Sequence, residues 1–287
     1  MGVFLRDLIP TTKVFEQVVA CAMSSSSSST VRRLPWHNGR GVCICVSGSV
    51  AAVKVPKIVV ELLYLGFDID VVVTDAAYKL LQTSYHGRIP WEDLETELPS
   101  QVNDFVDQHS DARSPRLLVY RDSDEWERYS TVGDDEILHI ELVKRNHLLL
   151  LAPLGANTLA KAALGLCDNL LTAVLRAWPY DLSDPEPPPA GAFLPERARQ
   201  LEPLPVVAAP AMNTVMWRQR ITGTHIRTLE ERGVRIVPPV SKLLACGDEG
   251  VGAMAEVDTI VNVVASYFES VLPPPDADSL GLSSPYN

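Results

Sequence analysis

The feature that most constrains this chain is a repeated pairing. A continuous apolar run ends in small or hydroxyl residues, and a segment of helical periodicity follows it. "GVCICVSG" ends at Gly48 and leads into "SVAAVKVPKIVVELLYLG", which has apolar residues at helical spacing and a glycine stop at Gly66. "FDIDVVVTDAA" repeats the pattern, with Thr74 closing its apolar run. "HLLLLAPLGANT", "PVVAAPAMNT" and "VRIVPPV" supply three more runs of the same kind. Between the runs lie the helical segments "TLAKAALGLCDNLLTAVLRAW", "TVMWRQRITGTHIRTLEERG" and "EVDTIVNVVASYFESVL". A strand that is apolar at every residue must be buried on both faces, which requires a parallel sheet covered by helices above and below. The expected fold is α/β: a Rossmann-like or flavodoxin-like doubly wound parallel sheet in three layers, α/β/α.

"SSSSSST" at 24–30 buries no apolar surface, so residues 1–35 read as a flexible N-terminal extension. The proline-rich polar stretch 272–287 reads as a flexible tail, leaving one domain at 36–271. Two segments break the strand–helix rhythm. About 86–116 is charged and lacks a clear period, and about 181–203 is rich in proline; both are expected to be surface insertions.

Asp and Glu number 36 against 25 Lys and Arg, a net charge of −11 that repels nucleic acid and anionic membranes. The apolar runs are strand-sized, well short of the roughly 18 residues of a membrane span. Neither nucleic acid nor a membrane is therefore an expected partner. The five cysteines stand at 21, 43, 45, 167 and 246. Cys43 and Cys45 alternate along a strand and share a face, a poor geometry for a disulfide. No cysteine or histidine spacing suits zinc, so no metal is expected. Reduced thiols, and an N-terminus that carries Asp7 and Glu16 without a long apolar core, point to the cytoplasm.

Open α/β sheets bind ligands beyond the carboxyl ends of their strands. That rule selects "SGSVAA" (47–52), "TDAA" (74–77), "APLGANT" (152–158) and "APAMNT" (209–214). Each leads into a helix, whose free N–H groups and dipole attract phosphate. The first loop holds one glycine, Gly48, so neither a dinucleotide fingerprint nor a Walker loop is present. A mononucleotide such as FMN fits the pattern; so do ordinary turns and helix caps. His139, in "GDDEILHIELVKRN", reads as structural or catalytic, and Asn213 as a routine N-cap or a ligand group. Cys246 lies in "SKLLACGDEGVGAMAE", where Gly247, Gly250 and Gly252 weaken helix and strand alike and suit a mobile flap.

Five stretches occur in order: "GSVAAVKVPKIVVELL", "YRDSDEWERYSTVGDDEILHIEL", "LLLAPLGANTLAKAALGLCDNLLTAVLRAW", "PAMNTVMW" and "LLACGDEGVGAMAE". Over these the chain resembles the flavin-dependent cysteine decarboxylase family, and "PAMNxxMW" and "ACGDxGxGAM" are its specific motifs. The resemblance implies a homotrimer with FMN between subunits. Gly48, Ser49 and Val50 would meet the phosphate end of the cofactor. Thr74, Gly155, Ala156, Asn157 and Thr158 would line it, with Met212 near the ring system. The family usually has serine at position 155, so Gly155 is expected to give a backbone contact only.

The implied reaction removes CO₂ from the cysteine carboxylate of 4′-phospho-N-pantothenoylcysteine, giving 4′-phosphopantetheine for coenzyme A synthesis. FMN oxidises the substrate thiol to a thioaldehyde, whose C=S group accepts the electrons left by CO₂; the enethiol formed is then reduced. His139 would be the base of the oxidative half, Asn213 would hold the carboxylate, and Cys246 would give the final proton. Ala245, Gly247, Gly252, Ala253 and Met254 would surround substrate beside Asn213 and Cys246. Lys144 and Arg145 would serve the phosphate or flavin, or form a solvated pair. The family also implies two alternatives: a halotolerance-type regulatory subunit inhibiting a protein phosphatase, and a subunit of a hetero-oligomeric decarboxylase. The presence of His139, Asn213 and Cys246 together favours a self-sufficient enzyme.

Overall fold

In β1 (Gly41–Val46), β2 (Asp68–Val73), β4 (Leu148–Leu154) and β5 (Val206–Pro210) every residue is buried. The computed structural model describes residues 40–100, 115–127, 129–132, 134–182, 203–243 and 249–269. The expected extension at 1–35, the tail at 272–287, most of 181–203, and Ala245, Cys246 and Gly247 lie outside the described residues.

Burial on both faces follows from the period-2 alternation of strand side chains. Val42, Ile44 and Val46 of β1 enter one core, while Cys43 and Cys45 enter the other. Those two cysteines are free and buried, as their shared face requires. Ile44 stands between Val71 of β2 and Leu150 of β4, and every strand pair in the sheet is parallel. The strand order is β3-β2-β1-β4-β5-β6, the Rossmann arrangement of the two expected. The edge strand β3 (Leu117–Arg121) was not among the strands expected, although "LLVY" is apolar; as an edge it leaves Leu118 facing solvent. β6 is two residues, Arg235–Ile236, because Pro238 and Pro239 follow and cannot donate to a ladder.

Helices α1 (Val55–Tyr64) and α9 (Val257–Glu269) cover the first core with Ile58, Leu62, Ile260 and Val264. The second is covered by α4 (Leu138–Arg145), α5 (Ala156–Leu164), α6 (Leu170–Ala177) and α8 (Arg220–Glu231). α2 (Asp75–Leu81) follows β2, and the short α3 (Asp124–Glu127) follows β3. Two segments expected as single helices are each broken. Gly165, at φ +72°, ends α5 with a left-handed cap, and Asn169 with Thr172 forms a capping box that restarts the chain as α6. Such a cap contributes about 1 kcal/mol. Gln219, in extended conformation, separates α7 (Thr214–Arg218) from α8.

The stretch 86–116 departs from the surface insertion expected. Helical turns at Pro90–Glu92 and Asp93–Glu97 place Trp91, Leu94 and Leu98 in the first core. Trp91 meets Tyr78 of α2 edge-on at 4.6 Å. Its charges obscured this in the sequence; Asp93 is in fact paired with Arg88. Residues 101–114 lie outside the described part.

The glycine-rich stretch also forms strands, away from the main sheet. β7 (Val240–Leu243) and β8 (Glu249–Ala253) pair as an antiparallel hairpin. Here glycine is required by close approach. Gly252 has φ +147°, and a Cβ there would overlap the Met212 carbonyl oxygen. A Cβ on Gly250 would lie 2.7 Å from Thr214 Oγ1. The Met212 N–H donates to the Gly252 carbonyl at 2.9 Å, so β8 is seated on the loop after β5. Among the described residues, no helix is long and apolar enough to cross a membrane.

Candidate active site

The sheet order reverses between β1 and β4, and a crevice opens where neighbouring chain connections diverge. Ser47 ties the two sides together: its Oγ donates to the Pro153 carbonyl at 2.8 Å and accepts the Gly155 N–H at 2.7 Å. Gly155 therefore spends its N–H inside the protein. What it offers the crevice is space, since a Cβ there would stand 3.1 Å from the Gly48 carbonyl oxygen. Gly48 is more tightly confined, because its Cβ would lie 2.6 Å from that of Ala76.

Three depressions run along this end of the sheet. The first, about 620 Å³, is lined by Gly48, Ser49, Val50, Gly155, Ala156, Met212, Asn213, Gly252, Ala253 and Met254. The second, about 190 Å³, adjoins it through Gly48 and Gly155 and is lined also by Thr74, Asn157 and Thr158. The first two thus collect every sequence-predicted site residue that the structure describes, except His139. His139 lines a third depression of about 620 Å³, with Glu125, Asp122, Asp168, Arg176 and the exposed Cys167. One chain does not bring His139 and Asn213 into a common cavity.

Several of these residues also do the ordinary capping work that their sequence positions allow. Ser49 caps the 3₁₀ turn Val50–Lys54, and Thr74 caps α2 by accepting the Ala77 N–H at 3.3 Å. Asn213 Oδ1 accepts the Val215 N–H at 2.8 Å and caps α7. That bond fixes the amide orientation, leaving nitrogen as its donor end. α5 differs: its N-cap is Gly155, which has no side chain to satisfy the first-turn N–H groups near Asn157 and Thr158.

These surroundings fit a flavin mononucleotide. The uncapped helix terminus with two confined glycines suits a phosphate, and the adjoining cavity with Val50, Ala156 and Met212 suits a planar ring system.

Two lysines missed by the sequence reading line the first cavity, Lys54 and Lys242. Burial, then the neighbouring Lys242, holds Lys54 below the usual lysine range. Lys242 on β7 is paired with Glu256, whose carboxyl it pulls down. Lys54 ends the "SVAAVK" stretch and Lys242 opens the flap, so both adjoin motifs already singled out. The cations proposed from sequence turn elsewhere: Lys144 pairs with Glu141, and Arg145 binds the buried Asp70 through two bonds of 2.8 and 2.9 Å. Glu125 was also missed, although "DEW" lies within a stretch that carried the resemblance. Its Oε1 is 2.6 Å from His139 Nδ1. Asp122 bridges two helix starts, accepting N–H groups of Asp75 at 3.3 Å and Leu170 at 3.1 Å, and burial pushes its carboxyl up.

The family model described as Flavoprotein matches residues 35–269. Phosphopantothenoylcysteine decarboxylase HAL3 of Malus domestica is 40% identical over 185 residues, covering 64% of this chain and 75% of its own length. Phosphopantothenoylcysteine decarboxylase of Mus musculus is 38% identical over 221 residues, covering 77% and 83%. Among solved structures, a cysteine-to-serine mutant of PPC decarboxylase complexed with pantothenoylaminoethenethiol aligns with a TM-score of 0.60 at 33% identity, over 81% of this chain and 100% of that one. The FMN-binding protein AtHal3 aligns with a TM-score of 0.58 at 34% identity, over 81% and 98%.

Proposed function

Because this chain belongs to the Flavoprotein family, we propose that it is an FMN-dependent decarboxylase converting 4′-phospho-N-pantothenoylcysteine to 4′-phosphopantetheine in coenzyme A synthesis. The observation that carries this reading is the first cavity. There the Met212–Asn213 loop and the β8 strand of the hairpin face the glycine turns at the switch point of the sheet.

Bound FMN supplies the two-electron oxidant for the substrate thiol and the reductant for the last step. The remaining roles belong to the chain. Asn213 donates from its amide nitrogen to the substrate carboxylate, a neutral contact from which CO₂ departs without leaving an ion pair behind. Lys54 and Lys242 give the cavity a cationic side suited to the substrate phosphate. His139 takes a proton during oxidation. Cys246, in the segment joining β7 to β8, returns one to the enethiol carbon. The separation of His139 from Asn213 supports a homotrimer in which His139 of one copy completes the cavity of the next. The cytoplasm is the proposed location.

The test is an assay of purified protein with FMN and phosphopantothenoylcysteine. The expected result is a yellow protein that releases CO₂ and forms 4′-phosphopantetheine, while Cys246→Ser releases CO₂ and stalls at the enethiol. A wild type that binds no flavin, or releases no CO₂, overturns the reading; full turnover by Cys246→Ser overturns the role of that thiol.

A further inference from the structure

Glu125 is a buried carboxylate that the mechanism above leaves without a task. Its side chain is 6% exposed, and Oε1 lies 2.6 Å from Nδ1 of His139. Among the described residues, Oε2 is buried with no hydrogen-bond partner. Acidic side chains are almost never buried unless paired, and an unsatisfied buried oxygen is destabilising. Surface exposure would remove that cost. The burial therefore needs a reason beyond joining α3 to α4.

We propose that Glu125 is the positioning residue that sets the tautomer and orientation of His139, so that Nε2 is the basic atom. This rests on the decarboxylase reading, which supplies the substrate thiol. An ionised carboxylate only accepts hydrogen bonds, so the ring proton sits on Nδ1 and the lone pair on Nε2. One proton then moves: the thiol S–H bond breaks, an Nε2–H bond forms, and sulfur keeps the electron pair as thiolate. The dyad passes from carboxylate and neutral imidazole to carboxylate and imidazolium, an attractive pair at hydrogen-bond distance in a half-buried place.

The surroundings assist. Asp75 of α2, Asp122 after β3 and Asp168 before α6 line the same depression, opposed by Arg176 of α6. Asp168 is bound to Lys161 and Asp122 to two backbone N–H groups, so Glu125 is the carboxylate that touches the ring. The ring is also held from behind. At the far end of α4, Arg145 grips Asp70, and Asn146 Nδ2 donates to Asp70 at 2.7 Å and to the Leu142 carbonyl at 2.8 Å. The helix cannot rotate without breaking these bonds.

The test pairs kinetics with a spectrum that needs neither cofactor nor substrate. In the wild type, long-range ¹⁵N–¹H correlation should place the neutral ring proton on Nδ1. Glu125→Gln should lower kcat roughly a hundredfold with KM unchanged, within the range for general-base catalysis. It should also lose the fixed tautomer, so that the ring proton of the variant is shared between Nδ1 and Nε2 in the same spectrum. Glu125→Asp should recover part of kcat. A wild-type ring proton on Nε2, or a Glu125→Gln enzyme with wild-type kcat, overturns the dyad while leaving the decarboxylase reading intact. A wild type that releases no CO₂ overturns that reading and the base role together.

Discussion

At the scale of single residues, the first cavity is shaped by the glycines at 48 and 155 and flanked by Lys54 and Lys242. Gly48 stood out as the one glycine of the first loop, where a Cβ would meet Ala76; Gly155 was reached through the resemblance alone. Lys54 and Lys242 did not stand out, because a lysine in a sequence carries no sign of the cavity it faces. Their meeting depends on the hairpin returning to the start of α1. Lys54 gives a prediction with a definite sign. Burial holds its proton loosely, so its charge is lost at a lower pH than an ordinary lysine's. KM for the phosphorylated substrate should therefore begin to rise below the usual lysine range as pH climbs. Lys54→Gln should raise KM at neutral pH by about 10-fold, the scale of one charge-assisted hydrogen bond, and flatten that alkaline rise. Steady-state kinetics across pH would show it; an unchanged KM would remove Lys54 from the phosphate site.

At the scale of elements, β1, β4 and β5 were readable because each is apolar throughout, and β2 because three valines follow its two aspartates; β3 was passed over, although "LLVY" is apolar, because charged residues surround it. Helix breaks at Gly165 and Gln219 were hidden, since periodicity continues across a cap when the same core lies beneath both halves. The position of α4 depends on a long-range charge group that no local pattern reveals. Asp70, fully buried on β2, binds Arg145 and Asn146 from α4 and its end, and Arg116 from just before β3. Asp70→Ala would leave two arginines without their shared carboxylate, with only Asp68 and Tyr120 as remaining partners among the described residues. Both arginines retain some access to water, so the loss expected is about 2–4 kcal/mol, below the full cost of breaking an enclosed pair. Urea unfolding measures it directly. A change within 0.5 kcal/mol, the usual range for surface substitutions, would make the cluster incidental.

At the scale of the molecule, the sequence announced a doubly wound sheet but gave no measure of the distance between functional residues. His139 and Asn213 occupy different depressions of the same chain. If copies complete one another's sites, mixing defects should restore activity. His139→Asn and Asn213→Ala should each be inactive alone; after joint refolding in equal amounts, about a quarter of the sites should be intact in a randomly assembled cyclic trimer. Silent mixtures, under conditions in which subunits exchange, would mean that each chain builds its site alone. The seating of β8 also limits how this chain can change from one generation to the next. Because Gly252 leaves no room above the Met212 carbonyl, the flap and the Asn213 loop cannot drift independently. A substitution in one would survive only with an accommodating change in the other, so across descendants positions 212–214 and 250–252 should vary as a single block.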